Sequence, residues 1–471
     1  MTLMKSLLLG SAATFVVVAG AQAADLPTKK GAPAAEYVKV CKIGSIAGFI
    51  VPGTDTCLKL SGFVTARYAV GATHDTYTID RAVTSTGAYT GPAFLSKAQS
   101  ARQQDAYGTW TRGRLTLDAA SNTAYGPLVA HMDIEAAFSG GYAFGNTSAT
   151  DGHAGLGNGG QQVDKAWLTW AGITAGKVES FFDTPWLDGG VNSDMDLFAA
   201  DQSVNALAYT ATFGGGFSAT LSIESPINTV ASASTNPSIV NSHYGLVAPY
   251  ADGDRSPDIV ASLDIKQGWG GAHLAGLLHE IRAQYGSTAT PTFTTDTWGW
   301  GVNGGLLINL PMLGAGADFK ATATYTEGDY GQSGVGSPWY LNLGGVVNNG
   351  ATGDIYVDEF TGNWKKPKIW TVAAGFDIPL GPQFKISPEA SYAHVNISQP
   401  SYSLLSTNWQ AFLGGATFEW APVHNLTFDL DLLYESGSQD KPSGWVNYTE
   451  NAAWKKNFDG FLGEFRVERD F

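Results

Sequence analysis

Three arginines, Arg67, Arg112 and Arg114, sit in stretches whose polar and apolar residues alternate. A period of two sends residues of one parity to one face of a sheet, so Arg112 and Arg114 share a face. Opposed to them in charge is Asp183-Thr-Pro-Trp-Leu-Asp-Gly-Gly-Val-Asn-Ser-Asp-Met-Asp-Leu-Phe-Ala-Ala-Asp201, which has five acids and no base as far as Val204. Guanidinium groups on one side of a narrow aqueous gap, with Asp188, Asp194, Asp196 and Asp201 on the other, create a transverse field. Such a field orders water and sorts charged solutes without any covalent step. Two readings are open for the acidic stretch. On the outside of the molecule its carboxylates would simply be solvated. Folded inward, its Trp186, Leu187, Leu197 and Phe198 gain a wall to pack on, and large apolar side chains need one.

Catalytic chemistry has little support. The histidines at 74, 131, 153, 243, 273, 279, 394 and 424 show no H-x-x-x-H or H-E-x-x-H spacing, and there is no G-x-S-x-G elbow. Asp194 and Asp196 have a calcium-ligand spacing, but the rest of an EF-hand loop is missing. Gly155-Leu-Gly157-Asn-Gly-Gly160 lacks the Lys-Ser/Thr ending of a phosphate loop. The expectation is therefore no enzyme, no cofactor and no metal. Cys41 and Cys57 flank a Pro52-Gly53 turn and are the two cysteines of the chain. In an oxidising compartment they should form a disulfide.

That compartment is indicated at the start of the chain. Lys5, the apolar run Leu7 to Val18 and Ala21-Gln22-Ala23 make a secretory signal peptide over residues 1–23, cleaved before Ala24. Residues 24–57 then form a lead-in carrying the disulfide, Pro/Ala/Lys-rich as far as Val38, and residues 58–471 form the main domain. No run of about 20 apolar residues follows the signal, so a membrane helix is not expected.

The elements that must position the charges are strands. In Phe461-Leu-Gly-Glu-Phe-Arg-Val-Glu-Arg-Asp-Phe471, odd positions are mostly apolar, while Glu464, Arg466, Glu468 and Asp470 hold the even ones. Such a strand suits a soluble sandwich, or a barrel with lipid outside and a water-filled lumen inside. The rest of the chain favours the barrel. Sixteen strand-like stretches occur, from Leu58–Val70 to the last, with Ile173–Phe182 as the fifth, and short Gly/Pro/Asn turns alternate strictly with long polar loops, the first of them His74–Tyr107. Outer-membrane barrels have that asymmetry, with turns on the periplasmic side and loops outside. The charged fraction is a low 15%, aromatics are 12%, and glycines number 58, as girdles and close strand contacts require. Tyr68, Trp110, Trp167, Trp170, Trp298, Trp300, Trp370 and Trp420 lie near strand ends and are expected in those girdles. Leu274 to Leu278 and Leu306 to Leu310 are apolar on both faces, which calls for an inward loop or a neighbouring subunit to cover them. The net charge of -15 argues against a nucleic-acid partner and leans toward cations.

Several stretches resemble the trimeric porins of alphaproteobacteria. Tyr37-Val-Lys-Val-Cys41…Ile50-Val-Pro-Gly-Thr-Asp-Thr-Cys57-Leu-Lys-Leu-Ser-Gly62 is similar to their opening. Arg112-Gly-Arg114-Leu-Thr-Leu-Asp118 with Ala124-Tyr-Gly126 resembles their second strand and first turn. Asp164-Lys-Ala-Trp-Leu-Thr-Trp-Ala-Gly172 through Phe182-Asp183 resembles their fourth and fifth strands, and Phe471 matches the barrel assembly signal. The resemblance implies an outer-membrane, general-diffusion pore for small hydrophilic solutes and ions. It also implies a homotrimer in outer-membrane lipid, inserted by the barrel-assembly machinery, with the third loop (183–204) constricting the channel. A solute-specific channel would need a run of lumen aromatics, and none is evident on inward positions. A structural or adhesive barrel would need long folded external domains, and the loops look too short for that.

Overall fold

The computed structural model describes residues 39–71, 76–83, 89–99, 107–141, 161–187, 197–227, 250–251, 253–287, 290–335, 353–357, 363–397, 408–440, 446–447 and 456–471. Sixteen antiparallel strands close into a barrel among them. They are β1 (Cys57–Gly71), β2 (Tyr107–Thr123), β3 (Gly126–Gly141), β4 (Gln161–Trp170), β5 (Ile173–Glu179), β6 (Ser203–Gly214), β7 (Phe217–Glu224) and β8 (Asp258–Gln267). The second half is β9 (Gly270–Ser287), β10 (Thr290–Asn309), β11 (Asp318–Glu327), β12 (Lys368–Pro379), β13 (Phe384–Asn396), β14 (Trp409–Val423), β15 (Leu426–Gln439) and β16 (Asn457–Asp470). Each pairs with its neighbour in sequence, and β16 returns to β1 with Arg466 opposite Arg67. Closure removes every sheet edge, which a backbone in hydrocarbon requires.

Alternation decides what faces where. On β1, Thr65, Arg67 and Ala69 are buried, while Val64, Tyr68 and Val70 are exposed on the other parity. On β16, Glu464 is 2% exposed and Phe461 72%, so the charged face of the last strand lies inside and its greasy face outside. Leu207 and Tyr209 (β6), Leu221 (β7), Leu263 (β8), Leu274 (β9) and Leu432 (β15) continue the apolar belt. Each such side chain left in water would forfeit about 1.5–3 kcal/mol, so the belt needs lipid. No helix among the described residues is long and apolar enough to cross a membrane; the strands do the crossing.

The short turns follow from local chemistry. Trp170 and Ile173 face each other across a two-residue hairpin whose central Ala171 and Gly172 both have positive φ. That backbone twist matches the twist of the flanking strands.

Ahead of β1, Val40–Ile43 and Ile46–Ile50 are short strands of the same sheet, and Ile50 pairs with Cys57. The Cys41–Cys57 disulfide is formed, with Cα atoms 5.8 Å apart. It packs with Ile43, Ile46, Ala120 and Val129.

Three expectations need correction. The 74–107 stretch is not plain loop: Thr76–Val83 and Tyr89–Gln99 are paired strands, joined by Val446–Asn447 in parallel. The fifth strand stops at Glu179 rather than Phe182, because the chain leaves the wall at Ser180. Trp110 and Trp167 are not girdle residues. Trp110 lies under the Arg67 and Arg112 guanidiniums, and Trp167 stacks on His131, all on the inner face. Tyr68, Trp170, Trp298, Trp300, Trp370 and Trp420 do face outward.

Candidate functional site

The lumen is the candidate site. Arg67 and Arg112 are buried on the inner wall of β1 and β2, and Arg114 is one rung further along. Wall carboxylates lie beside all three. Arg67 Nη1 is 3.7 Å from Glu464 Oε1, and Arg112 Nη1 is 3.4 Å from Glu135 Oε1. Arg114 donates from Nε to Glu135 Oε1 at 2.6 Å and from Nη2 to Asp164 Oδ2 at 2.7 Å. Trp110 sits 4.5 Å below Arg67, and Phe63 5.1 Å below Arg112, as cation–π floors. Parity brings this ladder together: positions 63, 65 and 67 face 110, 112 and 114 across the β1–β2 pair. Elsewhere the inner wall carries Arg466–Asp429, Lys320–Asp377 and Lys385–Glu419 pairs at 2.7, 2.6 and 2.9 Å.

The segment after β5 crosses to the opposite wall. It leaves at Ser180, whose backbone N–H donates to Gln202 O at 2.8 Å, so its two ends are tied where it departs. Glu224, at the end of β7, accepts from Ser180 Oγ at 2.6 Å and from the Phe181 N–H at 3.1 Å. Asp183 accepts from the Gln202 N–H at 2.6 Å. Beyond this root, Phe182 packs on inward Val260, Ala275 and Leu277 of β8 and β9. Leu277 is therefore the inner-face leucine of the doubly apolar 274–278 stretch, and the loop covers it. Thr184 Oγ1 donates to Asn303 Oδ1 at 2.8 Å, and Trp186 Nε1 to Leu306 O at 3.0 Å. A Cβ on inward Gly305 would collide with the Thr184 side chain, so the wall is left bare where the loop presses closest.

Further along, Leu197 and Phe198 are fully buried against Ile369, Ala393, Ala411, Leu413 and Leu433 of β12 to β15. The Phe198 N–H donates to Ser391 Oγ at 3.0 Å. Of the four acids expected opposite the arginines, Asp201 lies on the returning arm and is half-buried. Asp188, Asp194 and Asp196 lie outside the described residues, as does the 155–160 glycine run.

Sequence reasoning missed a second inward segment. After β11, Asp329, Gln332, Ser333 and Val335 are buried. Gln332 Nε2 donates to Ser180 Oγ at 3.3 Å, and Thr371 Oγ1 on β12 to Ser333 O at 2.9 Å. Gly334 passes so close to the Ala199 and Ala200 backbone that a side chain would not fit. Polar and Gly-rich in sequence, this stretch looks like any external loop.

A closed barrel with lipid-ready walls, a charged inner ladder and loops drawn inward has the architecture of a channel. The comparisons agree. A family model described as a porin subfamily matches residues 25–461. The chain belongs to this porin subfamily. The porin is 27% identical over 390 residues to porin Omp2b of Brucella suis biovar 1 (strain 1330), covering 77% of this chain and 94% of that one. Omp2b of Brucella abortus (strain 2308) matches to the same extent. Among solved structures, the outer membrane channel DcaP of Acinetobacter baumannii superposes with a TM-score of 0.56 at 15% identity, covering 90% of this porin and 99% of that chain. That likeness supports the fold. Together these place the porin in the outer membrane as a channel.

Proposed function

We propose that this porin passes small hydrophilic solutes and ions passively, with the 183–204 stretch as its constriction. One observation supports the reading most: both arms of that stretch pack on the inner wall, at Phe182–Trp186 and at Leu197–Phe198. The gap left open is bordered by the Arg67, Arg112 and Arg114 ladder. Asp188, Asp194, Asp196 and Asp201 form the acidic side of the eyelet. The arginines already have wall carboxylates as neighbours, so the loop acids tip the balance of the gap toward cations.

The signal peptide is removed before Ala24, and the mature chain assembles as a homotrimer in outer-membrane lipid. Phe471, exposed on the outer face and paired through its backbone with Gly62, serves as the recognition end for the barrel-assembly machinery. The test is neutralisation of the four acids together as Asn. Cation preference, read as reversal potential under a salt gradient, should fall. An unchanged reversal potential would count against the loop lining the gap.

A further inference from the structure

Four side chains unrelated to the arginine ladder meet inside the barrel. Asp258 opens β8, and His279 is its neighbour on β9, one rung on from the Ile259–Leu278 pair. Asp329 and Asp354 come from the second inward segment and its continuation. All four are essentially without solvent exposure. His279 Nδ1 is hydrogen-bonded to Asp258 Oδ1 at 2.8 Å, and its Nε2 lies 3.7 Å from Asp354 Oδ2. Asp329 Oδ1 accepts from the Gln332 N–H at 2.9 Å, and Asp354 Oδ1 from the Tyr330 N–H at 2.7 Å. Two buried atoms in this group have no hydrogen-bond partner: His279 Nε2 and Asp329 Oδ2. Donor atoms of Asp258, His279 and Asp329 lie within 4.8 Å of one another.

Three buried carboxylates around one imidazole carry more negative charge than the imidazole can match. Taking an ion out of water costs several kcal/mol unless an opposite charge repays it. A protonated His279 would serve Asp258 and Asp354 and leave Asp329 Oδ2 unmatched.

We propose that His279, Asp329 and Asp354 hold a divalent transition-metal cation of the Zn2+ class, with Asp258 orienting the imidazole. The Asp258–Nδ1 bond is the carboxylate–histidine arrangement that fixes the ring and leaves Nε2 for a metal. An imidazole nitrogen with carboxylate oxygens suits Zn2+ or Mn2+, whereas Ca2+ takes oxygen ligands alone. Ligand distances of about 2.0–2.2 Å would draw His279 Nε2 and Asp354 Oδ2 slightly closer than their 3.7 Å. The consequence is mechanical. His279 is on the wall strand β9 and Asp329 is on the segment that packs against Ser180 and Ala199, so the ion staples that segment beside the root of the inward loop.

The test uses the full-length mature porin, folded in detergent, dialysed with Zn2+ and then metal-free buffer, and assayed by elemental analysis. The wild type should retain about one Zn2+ per chain and melt at a higher temperature with Zn2+ than with a chelator. Asp329→Asn keeps the oxygen that accepts from Gln332 and loses the anionic one. It should bind Zn2+ at least roughly 10- to 100-fold more weakly, the range seen when even outer-shell partners are lost. Asp354→Asn should behave alike and serves if Asp329→Asn fails to fold. Wild-type protein that retains no Zn2+, folded variants that bind as tightly as wild type, or displacement of Zn2+ by equimolar Ca2+ would each overturn the assignment.

Discussion

Replacing Phe198 by Ala should loosen the inward loop without touching a charge. Phe198 is fully buried among inner-wall residues of β12 to β15, and its ring lies 6.4 Å from that of Trp409. Truncating a buried Phe costs about 3–5 kcal/mol, from lost transfer energy and the cavity left behind. Phe182, Thr184 and Trp186 still hold the first arm, so the cost falls on docking of the second arm rather than on the barrel. At about 1.4 kcal/mol per factor of ten, the docked-to-free equilibrium of that arm shifts by at least roughly 100-fold. In single-channel recordings this should appear as raised open-channel noise and higher mean conductance. Larger polymers should also enter the pore. The variant must still give the heat-modifiable band of a folded barrel. A folded variant with wild-type conductance, noise and polymer cut-off would refute the reasoning, because the second arm would then not limit the lumen.

Two further outcomes follow from the fold. Cys57→Ser opens the Cys41–Cys57 bridge, whose sequence separation is 16. By chain-entropy reasoning it should lose about 3 kcal/mol, seen as a lower urea midpoint under non-reducing conditions, and an unchanged midpoint would contradict this. Leu263→Arg puts a charge on an outward position that is 59% exposed, midway along β8. It should cost about 2–4 kcal/mol in lipid and lower the folded yield in vesicles; a wild-type yield would mean that this face does not meet hydrocarbon.

How much of this was legible in the sequence depended on range. The strands could be read because a period of two is local, and the Glu464/Phe461 split of the last strand reports inside and outside directly. The inward Trp110 was legible too, since it shares parity with Arg112 and Arg114, but proximity to a strand end suggested a girdle instead. Trp167 was not legible. A register shift between Asp133 and Ile134, where Lys165 and Val163 stand opposite with Asp164 between them, puts Asp164 and Trp167 on the same side despite their opposite parity. For the inward loop, the need of Leu187, Leu197 and Phe198 for a wall was visible. The bare Gly305 that receives Thr184 was not. The second inward segment had no such signal, because its burial rests on Asp354, Ser180 and Thr371, which lie far apart in the chain.

An open, water-filled channel whose selectivity is set by charge must conduct and must sort ions by sign. Planar-bilayer recording of the purified porin under a salt gradient tests it most directly. Stepwise, long-lived conductance with a reversal potential on the cation-selective side is the predicted result. Protein that is folded by heat-shift on a gel and yet gives no conductance would contradict it.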